Sequence, residues 1–146
     1  MNEDASITFG PLKIWVHSHQ YATAKDYDDA DWLFVTAQCD SVRSCVKANG
    51  SFIRLSELKQ WKEDLEKFQK TLIGTVELPT IEPELSVTIT GKGAQGHLNC
   101  EIRLTPDHLS EQHHFFVEAD QSYLPGLITQ LSAVLRAYPI RQEHHI

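Results

Sequence analysis

The stretch from Ser56 to Gly74 constrains this chain more than any other. Leu58, Trp61, Leu65, Phe68 and Leu72 recur at spacings of three, four, three and four, the repeat of one apolar face on an α-helix. Ser56 is suited to accept a backbone N–H at the start, and Glu57 complements the positive end of the helix dipole. Gly74 offers a left-handed turn to stop it. A helix with a single apolar face must bury that face against another layer, and the flanking sequence supplies one, because on both sides it alternates with period two.

Before the helix, Leu12, Ile14 and Val16 alternate with Lys13, Trp15 and His17, and Gly10-Pro11 breaks or turns the chain just ahead of them. Trp32 to Cys39 is apolar on both faces over its first turns, as in a central strand. A further strand region spans Arg43 to Leu55, and Asn49-Gly50 within it marks either a two-residue hairpin or a bulge. After the helix, Val76 and Leu78 begin a strand closed by Pro79 and Pro83. Leu85, Val87 and Ile89 then alternate with Ser86, Thr88 and Thr90. Leu98 to Leu104 and Phe115 to Ala119 repeat the pattern. Asp120-Gln121-Ser122 caps a second helix, with Pro125 tolerated in its first turn. Its apolar face is Leu124, Leu127, Ile128, Leu131, Val134, Leu135 and Tyr138, and Pro139 ends it. Strands joined by short turns pair antiparallel. The reading is an α+β fold, antiparallel sheet or sheets under two amphipathic helices, in the order of three or four strands, a helix, four strands and a helix.

At 146 residues the chain reads as one domain, 1–146, with 1–5 and 140–146 frayed. Hydrophobic content of 41% and charged content of 23% are those of a soluble globular protein. No apolar run approaches the roughly 18 residues of a membrane span, and Met1-Asn2-Glu3-Asp4 lacks the order of a signal peptide, so the expected location is the cytoplasm. Cys39, Cys45 and Cys100 form no paired spacing and read as reduced thiols buried in strands. A net charge of −7 repels phosphate backbones, which argues against nucleic-acid binding and favours a basic partner.

Several residue groups carry candidate chemistry. Lys25 to Asp31 places Asp26, Asp28, Asp29 and Asp31 around Tyr27 with no bulky aliphatic residue, the composition of an exposed loop. It lacks the glycine and closing glutamate of an EF-hand, leaving a solvated connector or a negative patch that meets a positive partner. His17 and His19 fall on one face of a strand, a spacing that can hold a metal, but zinc normally takes at least three protein ligands. His108, His113 and His114 sit in a polar stretch without metal-ligand pairing and read as loop histidines. Gly91-Lys92-Gly93-Ala94-Gln95-Gly96 matches the dinucleotide fingerprint in its letters. That fingerprint requires a helix to follow, and a strand follows here, so the glycines make a hairpin and no phosphate cradle. No cofactor or metal is expected.

The chain also resembles the small bacterial immunity proteins of the WapI type, which are usually encoded beside polymorphic toxins. The resemblance runs from about Asp31 to Pro139. It rests on Asp31-Trp32-Leu33, on Leu58, Leu65, Phe68, Leu72 and Gly74, and on Glu84, Leu85, Val87 and Ile89. Its more distinctive pieces are Gly96-His97-Leu98 and Asp120-Gln121-Ser122-Tyr123-Leu124-Pro125. If Gly10-Pro11 or Asn49-Gly50 divides a strand, the order becomes four strands and a helix, twice, which is similar to the Whirly fold; that similarity is of topology and carries over no binding function. The immunity resemblance implies a cytosolic, non-catalytic protein that occludes one cognate toxin; the acidic charge and the loop composition add the expectation of a basic partner met by Asp26, Tyr27, Asp28, Asp29 and Asp31. The alternatives are a structural or adaptor protein, and a small enzyme using His97 with Glu82, Glu84 or Asp120 as an acid–base pair.

Overall fold

The computed structural model describes residues 4–21, 30–93 and 96–140. The ends expected to fray lie mostly outside these residues. Gly10 and Pro11 divide the first alternating run into β1 (Ile7–Phe9) and β2 (Leu12–His19), with Phe9 facing Leu12 across the turn. Gly10 has φ 57°, the left-handed region that a glycine enters without steric cost. β3 (Trp32–Asp40) turns through Ser41 to Ser44, where the Ser41 N–H donates to the Ser44 carbonyl at 2.8 Å, into β4 (Cys45–Arg54). Helix α1 (Leu55–Thr71) follows, then β5 (Ile73–Glu77), β6 (Leu85–Lys92), β7 (His97–Leu104), β8 (His114–Asp120) and helix α2 (Tyr123–Ala137). Among the described residues the order is four strands and a helix, repeated.

Each group of four strands forms its own antiparallel sheet in sequential order, β1-β2-β3-β4 and β5-β6-β7-β8. The choice left open at Asn49-Gly50 is a bulge. Val35 faces Gly50 and Leu33 faces Ile53, so β4 holds one residue more than β3 over the same span. A second bulge lies in β2, where Val16 faces Val35 but Ser18 faces Phe34, leaving His17 as the extra residue.

The inner faces of both sheets and the apolar faces of both helices form one continuous core. Trp61 and Leu65 are fully buried and Phe68 nearly so, as the spacing of the α1 apolar face dictates. Leu124, Leu127, Leu131 and Val134 do the same for α2, while Ile128, Leu135 and Tyr138 are partly covered. The two helices pack on one another, α1 also along β5 and α2 along β1.

Both ends of α1 differ from expectation. The helix begins at Leu55, one residue early, so Ser56 is a donor to another group and not the cap. It ends at Thr71, with Leu72 itself taking the left-handed conformation (φ 58°) while its N–H donates to the Phe68 carbonyl at 2.8 Å. Gly74 lies beyond, inside β5. The cysteines divide as well. Burial pushes the Cys39 and Cys100 thiols up to about 11, whereas Cys45 is exposed at the start of β4 and hydrogen-bonded to the Asp40 carboxylate, which raises it.

Candidate partner-binding surface

The acidic connection between β2 and β3 is the strongest candidate for a contact surface. Asp26, Tyr27, Asp28 and Asp29 lie outside the described residues. Both ends of the connection are described and held to the first sheet. The Gln20 N–H donates to the Trp32 carbonyl at 2.9 Å, and the Ser51 hydroxyl donates to Gln20 Oε1. Tyr21, at the start, is 48% exposed.

Asp31 is a correction. It is only 1% exposed and so cannot belong to a solvent-facing patch. Its Oδ1 and Oδ2 accept the Ser56 N–H at 3.1 and 3.3 Å, and Oδ2 also accepts the Ser56 hydroxyl. The first N–H groups of a helix have no partner within it, and a carboxylate there also complements the dipole. Asp31 therefore anchors the connection to the start of α1.

Glu57 reinforces the same corner in a way the sequence reading missed. It is buried, its Oε1 accepts the Arg54 N–H at 2.7 Å, and its Oε2 accepts the Ile81 N–H at 2.9 Å. Arg54 Nη2 closes an ion pair with Oε2 at 3.2 Å, and its guanidinium lies 5.6 Å from the Trp32 ring centroid. The legible signal was the Arg54 to Glu57 spacing, which lets the carboxylate of the third helical residue reach back to the residue before the helix.

The histidines do not converge. The bulge at His17 puts it and His19 on opposite faces of the first sheet, contrary to the shared face expected from spacing. His17 Nε2 is hydrogen-bonded to Thr36 Oγ1 at 2.8 Å and its ring lies 5.6 Å from that of Phe34, both on the outer face. His19 faces buried Leu33 and its ring meets Tyr138 at 5.4 Å. His108, His113 and His114 line a hollow of about 570 Å³ with Glu82, Arg103 and Thr105. Burial holds the neighbouring Glu84 carboxyl above its ordinary range, Glu82 adds to the rise and His108 opposes it. His113 pairs with Glu111 at 2.9 Å and His114 with Glu101 at 3.0 Å, so each faces a different carboxylate. Among the described residues no three His, Cys, Asp or Glu side chains are grouped to hold a metal.

Register brings His97 opposite Asp120 across β7 and β8, a proximity that sequence spacing does not reveal. His97 is exposed, and the Asp120 carboxylate is engaged by the Ser122 hydroxyl and N–H, the latter at 2.7 Å. Glu82 and Glu84 lie at the far ends of β6 and β7, beside His108.

The glycine loop has a structural task. Strand β7 follows it, so no helix N-terminus faces a phosphate. Gly93 donates its N–H to the Leu72 carbonyl at 2.8 Å, and the Gln121 N–H donates to the Gly96 carbonyl at 2.8 Å, which ties the hairpin to the end of α1 and the approach to α2. Ala94 and Gln95 lie outside the described residues.

The model of the immunity protein WapI-like family matches residues 5–139. The chain belongs to that family. The match reaches well before Asp31, where the residues quoted for the resemblance begin, and takes in β1 and β2. No curated protein and no solved structure gives a match beside it. Membership of the WapI-like immunity family points to a toxin-immunity role, and no helix of the described residues is long and apolar enough to cross a membrane.

Proposed function

We propose that this WapI-like immunity protein binds one cognate toxin domain in the bacterial cytoplasm and neutralises it by covering its working surface, without chemistry of its own. The observation that carries the reading is the family match over residues 5–139. The net charge of −7 supports a basic toxin surface as the target, because opposite fields steer encounter and disfavour wrong partners. Asp26, Asp28 and Asp29 supply the negative contact and Tyr27 an aromatic anchor. Asp31 acts from behind by fixing the end of the connection to α1. The non-catalytic reading fits the exposure of His97 and the engagement of Asp120 by Ser122.

The test uses the toxin fragment encoded next to this chain. Co-expression should protect growth, and the two purified proteins should form a complex. Absence of both protection and binding with the wild-type protein would remove the immunity reading and leave the adaptor reading in place.

A further inference from the structure

The two sheets have four edge strands, β1, β4, β5 and β8, and an open edge offers unpaired N–H and C=O groups to any other chain. Three of them are guarded. β1 is only three residues long, packs on α2, and has its Thr8 N–H held by Gln130 Oε1 at 2.9 Å. β4 is bent by its bulge and carries Lys47. β8 carries Glu118 and Asp120, carboxylates that repel a like edge.

β5, Ile-Gly-Thr-Val-Glu, has no lysine, no proline and an unbroken register with β6. Four of its five residues are exposed, and Ile73 is 66% exposed although its side chain is wholly apolar. The Leu78 N–H donates to the Val87 carbonyl at 2.9 Å and the Gly93 N–H to the Leu72 carbonyl at 2.8 Å. These bonds fix the phase of the ladder. Leu72, Gly74, Val76 and Leu78 point their backbone groups at β6, and Ile73, Thr75 and Glu77 point theirs at the open edge. The Ile73 N–H meets Thr71 Oγ1 at 3.3 Å. Along this edge runs a groove of about 710 Å³ between β5 and α1, lined by Asp64, Lys67, Phe68, Ile73, Thr75 and Glu77 among others.

We infer that the β5 edge is the seat of a second copy of this chain, joined antiparallel about a two-fold axis at Thr75. The groups that face each other select this occupant. A two-fold contact must be complementary to itself. Centred on Thr75, it sets Thr75 against Thr75 of the other copy and Ile73 against its Glu77. No like charges stand opposite each other, the outward N–H and C=O groups of Thr75 pair across the axis, and the Ile73 N–H exchanges its Thr71 Oγ1 acceptor for the Glu77 carbonyl of the other copy. Thr75 Oγ1 already lies 3.2 Å from Thr90 Oγ1, so the outer face gains a continuous threonine ladder across the axis. The same axis lays the two grooves side by side. Asp64 and Lys67, three residues apart on the groove side of α1, then meet Lys67 and Asp64 of the other copy. This pairing is independent of the proposed toxin contact, whose residues fall between β2 and β3 in the sequence.

Sedimentation equilibrium of the full chain over a wide concentration range tests the inference. The expected mass is twice 16.6 kDa, falling toward one chain on dilution. Thr75→Lys sets two ammonium groups against each other at the axis, at an exposed strand position where the monomer gives up the hydroxyl contact with Thr90. It should weaken association at least tenfold, while the chain stays folded when dilute and its melting temperature loses the rise with concentration that a dimer gives. Lys67→Asp alone should weaken it too, and Asp64→Lys combined with Lys67→Asp should restore it, a recovery that mere loss of folding cannot produce. A wild-type mass of one chain at every concentration would overturn the inference. So would a dimer indifferent to Thr75→Lys and to the charge exchange.

Discussion

The backbone of Leu72 occupies the space where a side chain on Gly91 would stand: a Cβ built there lies 3.0 Å from the Leu72 carbonyl carbon and 2.9 Å from Phe68 Cζ. The end of α1 is thus pressed onto β6, and a glycine of the apparent nucleotide loop is fixed by packing. Gly91→Ala forces backbone apart and should cost about 1–3 kcal/mol or more, as overpacking does. Gly126→Ala is the control, since nothing lies within 4 Å of its Cβ position on α2. It should stabilise by about 0.4–1 kcal/mol by restricting the unfolded chain. Urea midpoints of the two variants moving together would refute the contrast.

Leu65 is fully buried at the centre of the α1 face. Leu65→Ala removes side-chain atoms that the core cannot fully replace and should cost about 2–5 kcal/mol. A loss under about 1 kcal/mol in chemical denaturation would show that the site collapses around the gap.

Asp31→Ala should leave the Ser56 N–H and hydroxyl without their acceptor in a buried setting, at a cost of about 1–3 kcal/mol. Ser56→Ala removes only the hydroxyl bond and should cost less. The double variant should fall short of the sum, because the two side chains share one interaction. Strict additivity in the denaturation data would contradict the assignment.

The Ser122 hydroxyl and then its N–H hold the Asp120 carboxyl below its ordinary 3.8. A depressed folded-state value means the contribution is full above 3.8 and is lost as pH falls through the folded value. The wild type should therefore be more stable than Asp120→Asn at neutral pH, and the gap should close in acid. A gap that is constant from about pH 6 to about pH 2 would count against the bond.

At the proposed toxin contact, Asp28→Asn with Asp29→Asn should slow association with the neighbouring toxin fragment and leave the melting temperature unchanged. Wild-type association should also slow as salt rises, because screening shortens the reach of charge to about 8 Å at physiological ionic strength. Kinetics and growth protection unaltered in the double variant would exclude these carboxylates as the contact while sparing the immunity reading.

Local pattern sufficed for whatever depends on near neighbours in the chain. The apolar spacing of Leu58, Trp61, Leu65 and Phe68, the alternation of Leu85, Val87 and Ile89, and the turn at Gly10-Pro11 each follow from a helical or two-residue period and a backbone preference. The family-bearing residues were legible for the same reason, since most are packing and turn positions. Pairing across distance was not legible. A bulge separates His17 from His19, because one extra residue reverses every side chain beyond it. Register sets His97 opposite Asp120, and only the packed corner reveals that Asp31 reaches Ser56, 25 positions away. Leu72 turns left-handed at the end of α1, where Gly91 packs against it and the Gly93 N–H bonds its carbonyl, and Gly74 (φ 104°) follows within β5. Composition told that Asp31 is charged; only the tertiary structure decided that its charge faces inward.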